Sequence, residues 1–224
     1  MEMDLSKSRE YFDPTSIKGK VHIIGCGSVG SVLAENLARC GVTDMVLYDF
    51  DKVEPKNIVN QMFFQRHVGM PKVDALKEIL CEINPECEKV QTKPEGWTGK
   101  LLTGYVFLCP DSIDVRRDFV KKHFNSPMVK AVFDFRTELE VAQHYAADWS
   151  DVAMKQNLLN SMDFTADEAD VDTPVSACGV TLGVATTVRL VCALGVNNFI
   201  NFVKNGEIKK FAIVDGFHFT LDAF

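Results

Sequence analysis

The stretch VHIIGCGSVGSVLAENLARCGVTDMVLYDFDKVEPKNIVNQMFFQRHVGMPK, Val21 to Lys72, decides the fold. Val21 to Ile24 is a short apolar run, as suits a strand buried on both faces of a parallel sheet. Gly25-Cys26-Gly27-Ser28-Val29-Gly30 follows directly. From Ser28 to Cys40 the apolar residues Val29, Val32, Leu33 and Leu37 recur at helical spacing, and Gly41 is placed to end that helix. Met45 to Tyr48 reads as a second strand, so the segment opens a β-α-β unit with Asp49 at a strand end.

The glycines divide the work of holding phosphate. Gly25 permits a tight turn, Gly27 lets phosphate oxygens approach bare backbone, and Gly30 lets helix and strand pack closely. Free N–H groups at the helix start then face the anion. Asp49 follows at about the 20-residue interval of a ribose-binding acid, which leaves two ligand classes open: a dinucleotide for hydride transfer, or a mononucleotide such as ATP.

Outward from this stretch, composition narrows the class. With 224 residues, 46% of them hydrophobic, the chain has material for one sizeable core. A formal net charge of −7 argues against a general nucleic-acid or anionic-membrane binder. Residues 1–18 are polar, with no signal-like apolar core, and no stretch approaches about 18 uninterrupted apolar residues, so the expectation is cytoplasmic, without a membrane. Seven scattered cysteines with no Cys-x-x-Cys pair, and five dispersed histidines, give no support to a disulfide framework or a zinc site.

Later elements are expected as strands at 105–109, 129–133 and 138–147, a helix at 113–124, a long buried helix at 180–202, and strands at 211–214 and 217–221 around an Asp215-Gly216 turn. The fold class is α/β: a Rossmann-like, mainly parallel, doubly wound sheet with antiparallel additions in the C-terminal half. The acidic stretch 163–172 reads as the one candidate mobile loop.

Past Asp49, the run Asp49-Phe-Asp51-Lys-Val53, then Asn57-Ile-Val-Asn60-Gln61, then Gly69-Met-Pro71-Lys72 resembles the ThiF/MoeB/HesA adenylyltransferases, relatives of ubiquitin-activating enzymes. That family's pattern is Asp-x-Asp-x-Val, Asn-x-x-Arg-Gln and Gly-x-Pro-Lys; Leu80 to Pro85 also looks like its helix end. The resemblance is concentrated over 18–86, and implies an N-terminal arm at 1–18 and a single adenylation domain at 19–224. The nucleotide-binding half then covers about 19–135, and the substrate-crossover and C-terminal half about 136–224.

The implied reaction is adenylation of the C-terminal carboxylate of a small ubiquitin-like or sulfur-carrier protein, with ATP and Mg2+ as cofactors, a homodimer as the assembly, and thioester formation as an optional second step. In that scheme Gly25, Gly27, Gly30, Asp49, Asp51, Asn57, Asn60, Gln61 and Lys72 bind nucleotide, with Lys72 a mobile charge on the phosphates. Asp111 holds magnesium, or else caps the helix that follows it. Asn57 and Gln61 either bond phosphate or serve turn chemistry. Arg9 resembles an arginine that the family reaches across a dimer interface, and Cys178 falls where a thioester cysteine can sit. Asn60 departs from the pattern, which has an arginine there; Arg66 and Arg9 are the candidates to replace its charge. The competing readings are an NAD-dependent oxidoreductase, a non-catalytic nucleotide-binding or dimerisation member, and activation of a small-molecule or RNA carboxylate.

Overall fold

The structure, a computed structural model, describes residues 3–165, 168 and 182–224. Its sheet is built from β1 (Val21–Ile24), β2 (Met45–Tyr48), β3 (Gln91–Lys93), β4 (Gly104–Leu108), β5 (Val129–Thr137), β6 (Val141–Asp148), β7 (Phe211–Asp215) and β8 (Thr220–Ala223). They lie in the order β3-β2-β1-β4-β5-β6-β7-β8. The first five are parallel and the last three are added antiparallel, as the sequence reading expects. Chain order reverses between β1 and β4, so a crevice opens beside the carboxyl end of β1.

Helices α1 (Ser28–Arg39), α2 (Lys72–Ile83) and α5 (Ala185–Asn205) cover one face, and α3 (Ile113–His123) and α4 (Val152–Asn160) the other. Burial on both faces is why β1, β2 and β4 are solidly apolar. Phe107, Phe133, Phe135 and Phe199 form an aromatic core beneath α5, with Phe107 stacked on Phe133 at 4.9 Å. By length and composition α5 is apolar enough to cross a membrane, but its apolar residues are the ones seated on α1 and the sheet.

Three expectations need correction. β3 was not anticipated, because a three-residue polar edge strand has no apolar alternation to read. Among the described residues the long helix begins at Ala185, so Gly183 precedes it, and Gly195 sits inside it without breaking it. The last strand starts at Thr220 instead of Phe217, because the Asp215 carboxylate accepts the N–H groups of Phe217 and His218 and holds them in the turn.

Gly195 is needed for helix-to-sheet contact, since a Cβ there would collide with the Phe135 ring. Gly195→Ala should destabilise the chain by about 1–3 kcal/mol through overpacking, despite alanine's better helix propensity. Urea unfolding of the two forms measures this directly.

Candidate nucleotide site

The carboxyl ends of β1, β2 and β4 coincide, with Ile24 opposite both Tyr48 and Leu108. Gly25, Asp49 and Cys109 therefore leave the sheet side by side. Gly25 adopts φ +89°, and a Cβ there would come within 2.7 Å of the Cys109 and Pro110 backbone. A Cβ on Gly30 would collide with the Gly25 carbonyl. Both glycines are thus required for the turn to pass between β4 and α1. Gly27 is the N-cap of α1 and supplies no side-chain cap, and the N–H groups of Gly27 to Gly30 have no partner among the described residues. A helix start of this kind favours an anion.

Asp49 is fixed by two backbone donors: Cys26 N–H to Oδ2 at 2.6 Å and Asp51 N–H to Oδ1 at 2.8 Å. Burial pushes its carboxyl above the usual range, and these two bonds pull it back. The Asp51–Val53 strand is tied to Gly69–Lys72 by Val53 N–H to Met70 O, Gly69 N–H to Val53 O, and Lys72 N–H to Asp51 O, each at 2.9 Å. This clip carries the Lys72 ammonium to Asp51 Oδ2 at 2.8 Å. Its charge bears on both Asp49 and the Cys26 thiol. Lys72 is the first residue of α2 and not a loop residue, and its ammonium is buried and paired with Asp51.

Gln61 reaches toward the glycine turn, with Nε2 4.0 Å from where a Gly27 Cβ would stand, and its buried Oε1 has no hydrogen-bond partner among the described residues. An orphaned buried amide beside uncapped N–H groups marks a place where a ligand is owed. Asn57 is spent on the turn, accepting from Glu54 N–H at 2.8 Å through Oδ1. At the far wall, Asp111 is exposed, and one of its oxygens accepts Ser112 N–H at 3.0 Å. Ser112, and not Asp111, is the N-cap of α3, its hydroxyl accepting Val115 N–H.

The ThiF family model matches residues 16–223. The chain belongs to the ThiF family. Among its relatives, ubiquitin-like modifier-activating enzyme 5 of Bombyx mori is 51% identical over 67 residues, 30% of this chain and 17% of that enzyme. The same enzyme of Arabidopsis thaliana is 52% identical over 67 residues, 30% of this chain and 15% of its own length. The matched stretch is therefore less than a fifth of either relative. Crystallised PaaA superposes with a TM-score of 0.73 at 18% identity, covering 99% of this chain and 68% of its own. Escherichia coli MccB crystallised with ATP superposes at 0.70 and 18%, covering 94% and 65%. At such identities these two speak to the fold alone.

The remaining ThiF-pattern positions divide. Asn60, at the place of the ThiF-family arginine, turns its amide toward Gly183, ahead of α5, and not toward the glycine turn. Arg66 does not stand in for that arginine: it is paired with Glu78 at 3.4 Å and Glu82 at 2.7 Å on the outer surface of α2. Arg9 lies with Gly41, Thr43 and Asp44 at the amino end of the sheet, the edge away from the glycine turn, 3.9 Å from Asp13. Cys178 falls outside the described residues. Burial raises the thiols of all six described cysteines, so none of them offers a ready thiolate.

Sequence reasoning passed over Asp134, Arg116 and Arg136. Asp134 is fully buried within β5, opposite Leu108 at the carboxyl end of β4, and pairs with Arg116 on one oxygen and with Arg136 on the other at 2.9 Å. The available signal was an aspartate inside the apolar run Ala131 to Phe135, a residue that demands partners when buried.

Proposed function

We propose that this chain binds Mg-ATP at the β1–β4 crevice and adenylates the C-terminal carboxylate of a small ubiquitin-like or carrier protein. The observation that carries this is one sheet edge holding an uncapped glycine turn, a carboxylate held by two backbone donors, a buried lysine, and an exposed carboxylate, all within a ThiF-family chain. That the relatives are named ubiquitin-like modifier-activating enzymes supports the substrate class.

In this reading Asp49 accepts the ribose hydroxyls, and the Gly27–Gly30 N–H groups receive phosphate oxygens. Lys72 releases Asp51 and turns onto the triphosphate, and the Gln61 amide contributes a further polar contact. The acyl carboxylate oxygen attacks the α-phosphorus; the new P–O bond forms as the bond to the bridging oxygen breaks, and that oxygen leaves with pyrophosphate. Preset donors lower the barrier by meeting charge without reorganisation. Asp111 fits magnesium: this ion takes one or two carboxylates and completes its shell with phosphate and water, so a lone exposed carboxylate beside the phosphates is the expected donor. The metal would supply charge neutralisation there.

The test is pyrophosphate exchange into ATP, dependent on a carrier protein with a free Gly-Gly terminus. Exchange with no reduction of NAD is expected; NAD reduction without exchange would contradict the reading. A second reading, a binding member without turnover, is favoured by Asn60 and by the surface pairing of Arg66, which leave Lys72 as the sole described cation at the turn. Nucleotide binding with no exchange against any carrier would support that alternative.

Two finer proposals follow. In a homodimer, Arg9 supplies the missing phosphate charge to the partner's site; Arg9→Ala should then cut exchange about tenfold or more, and undiminished exchange would remove the idea. Cys178 is the thioester nucleophile after adenylation; Cys178→Ala should abolish a reducible protein adduct while exchange persists, and a surviving adduct would refute it.

A further inference from the structure

One buried carboxylate ties together two separate segments of the chain. Asp134 stands opposite Leu108 in the β4–β5 register, and its carbonyl accepts the His144 Nδ1–H at 3.1 Å, which fixes it from behind. Arg116, nearly fully buried on α3, bonds Asp134 Oδ1, the Leu108 carbonyl at 3.2 Å and the Pro110 carbonyl. Pro110 is the residue before Asp111. Arg136 bonds Asp134 Oδ2 at 2.9 Å, the Ser161 carbonyl at 2.6 Å and Ser161 Oγ at 2.9 Å, with its guanidinium 4.3 Å over the Tyr145 ring. Arg117 fastens the same segment at the Met162 and Phe164 carbonyls.

We propose that Asp134 is a positioning residue that sets two walls at once: the Pro110–Asp111 loop beside the crevice through Arg116, and the Ser161–Phe164 segment after α4 through Arg136. Even paired charges are expensive to bury, and an apolar trio of similar volume often holds a core as well. What an apolar trio lacks is direction. A guanidinium offers a rigid fork of donors, so one end of each arginine is locked on Asp134 while the other is aimed at a chosen carbonyl. The nucleotide half of the inference rests on the functional reading above.

The test uses Arg116→Lys and Arg136→Lys. Each keeps a cation for Asp134, so the fold is spared an unpaired buried charge, but an ammonium cannot reproduce the fork across three acceptors. The ligand-free chain is followed by hydrogen exchange at single amides, and MgATP affinity by calorimetry. Ser112 N–H bonds Asp111 Oδ1, so its exchange reports that carboxylate's pose. Arg116→Lys should speed exchange at Ser112 and weaken MgATP, each by about tenfold or more, with the 161–163 amides within about twofold of wild type. Arg136→Lys should do the reverse, loosening 161–163 and leaving Ser112 exchange and MgATP affinity unchanged. Equal effects of both variants on both walls, or none on either, would overturn the division of labour. Faster Ser112 exchange with unaltered MgATP affinity would overturn its importance for nucleotide. A wild-type chain that fails to bind MgATP would refute the functional reading instead, while the ligand-free exchange still upholds or overturns the division.

Discussion

Lys72→Ala should reduce ATP-dependent pyrophosphate exchange by about a hundredfold or more, the scale of removing one positive charge from a developing transition state. The ammonium is buried at the start of α2 and delivered to the site by the Val53–Met70 and Lys72–Asp51 backbone clip, so no neighbouring side chain can take its place. The fold should tolerate the change. Asp51 is half exposed and water can solvate it once its partner is gone, so the pair contributes little to stability. A thermal midpoint close to wild type with exchange lost would separate chemistry from folding. Lys72→Arg should not rescue, because a planar guanidinium does not fit where a compact ammonium is enclosed by helix and clip. Substantial exchange by Lys72→Ala would mean that phosphate charge is met elsewhere.

Acid should unfold this chain earlier than its carboxylates alone would require. His22 lies between Tyr48 and Thr103: Nε2–H donates to the Thr103 carbonyl at 3.0 Å and Nδ1 receives the Tyr48 hydroxyl at 3.1 Å. His144 donates from Nδ1 to the Asp134 carbonyl, and its Nε2 accepts Asn198 Nδ2–H at 3.0 Å. Both rings are neutral in these networks, and burial lowers each from 6.5 to about 4. Above pH 6.5 neither state binds a proton at these sites, so stability is intact. As pH falls from 6.5 to about 4 the unfolded chain takes up protons that the folded chain refuses, and stability drops by about 3 kcal/mol per histidine before levelling off. Urea midpoints across that window measure the slope. His144→Gln, which keeps one donor and one acceptor, should remove the His144 share of it, leaving those of His22 and His123, which burial also lowers; an unchanged slope would show that His144 is not a source.

Much of this architecture is legible in the sequence because its parts are local. The Val21–Tyr48 β-α-β unit shows in apolar runs and periodicity, and Gly25 and Gly30 announce contacts that only glycine permits. Asp49, Asp51 and Lys72 are spaced by a pattern whose reason, the backbone clip, becomes visible only in three dimensions. What the chain conceals is long-range and polar. Arg66 is close in sequence to the phosphate motif, yet two glutamates one and two turns along α2 claim it. Asn60 and Gln61 are adjacent, but only Gln61 reaches the glycine turn, since the short 3-10 helix at Pro55–Val59 sends the two side chains in different directions. The Arg116–Asp134–Arg136 cluster joins α3 to β5, and a lone aspartate in an apolar run reads from sequence as a strand end.

The most direct measurement is a crystal structure of the chain soaked with MgATP. The triphosphate is expected along the Gly25–Gly30 turn, with Asp49 on the ribose, Lys72 Nζ moved from Asp51 to a phosphate oxygen, and Asp111 at the metal. Phosphates bound away from the turn, or Lys72 still paired with Asp51 beneath a bound nucleotide, would contradict the account.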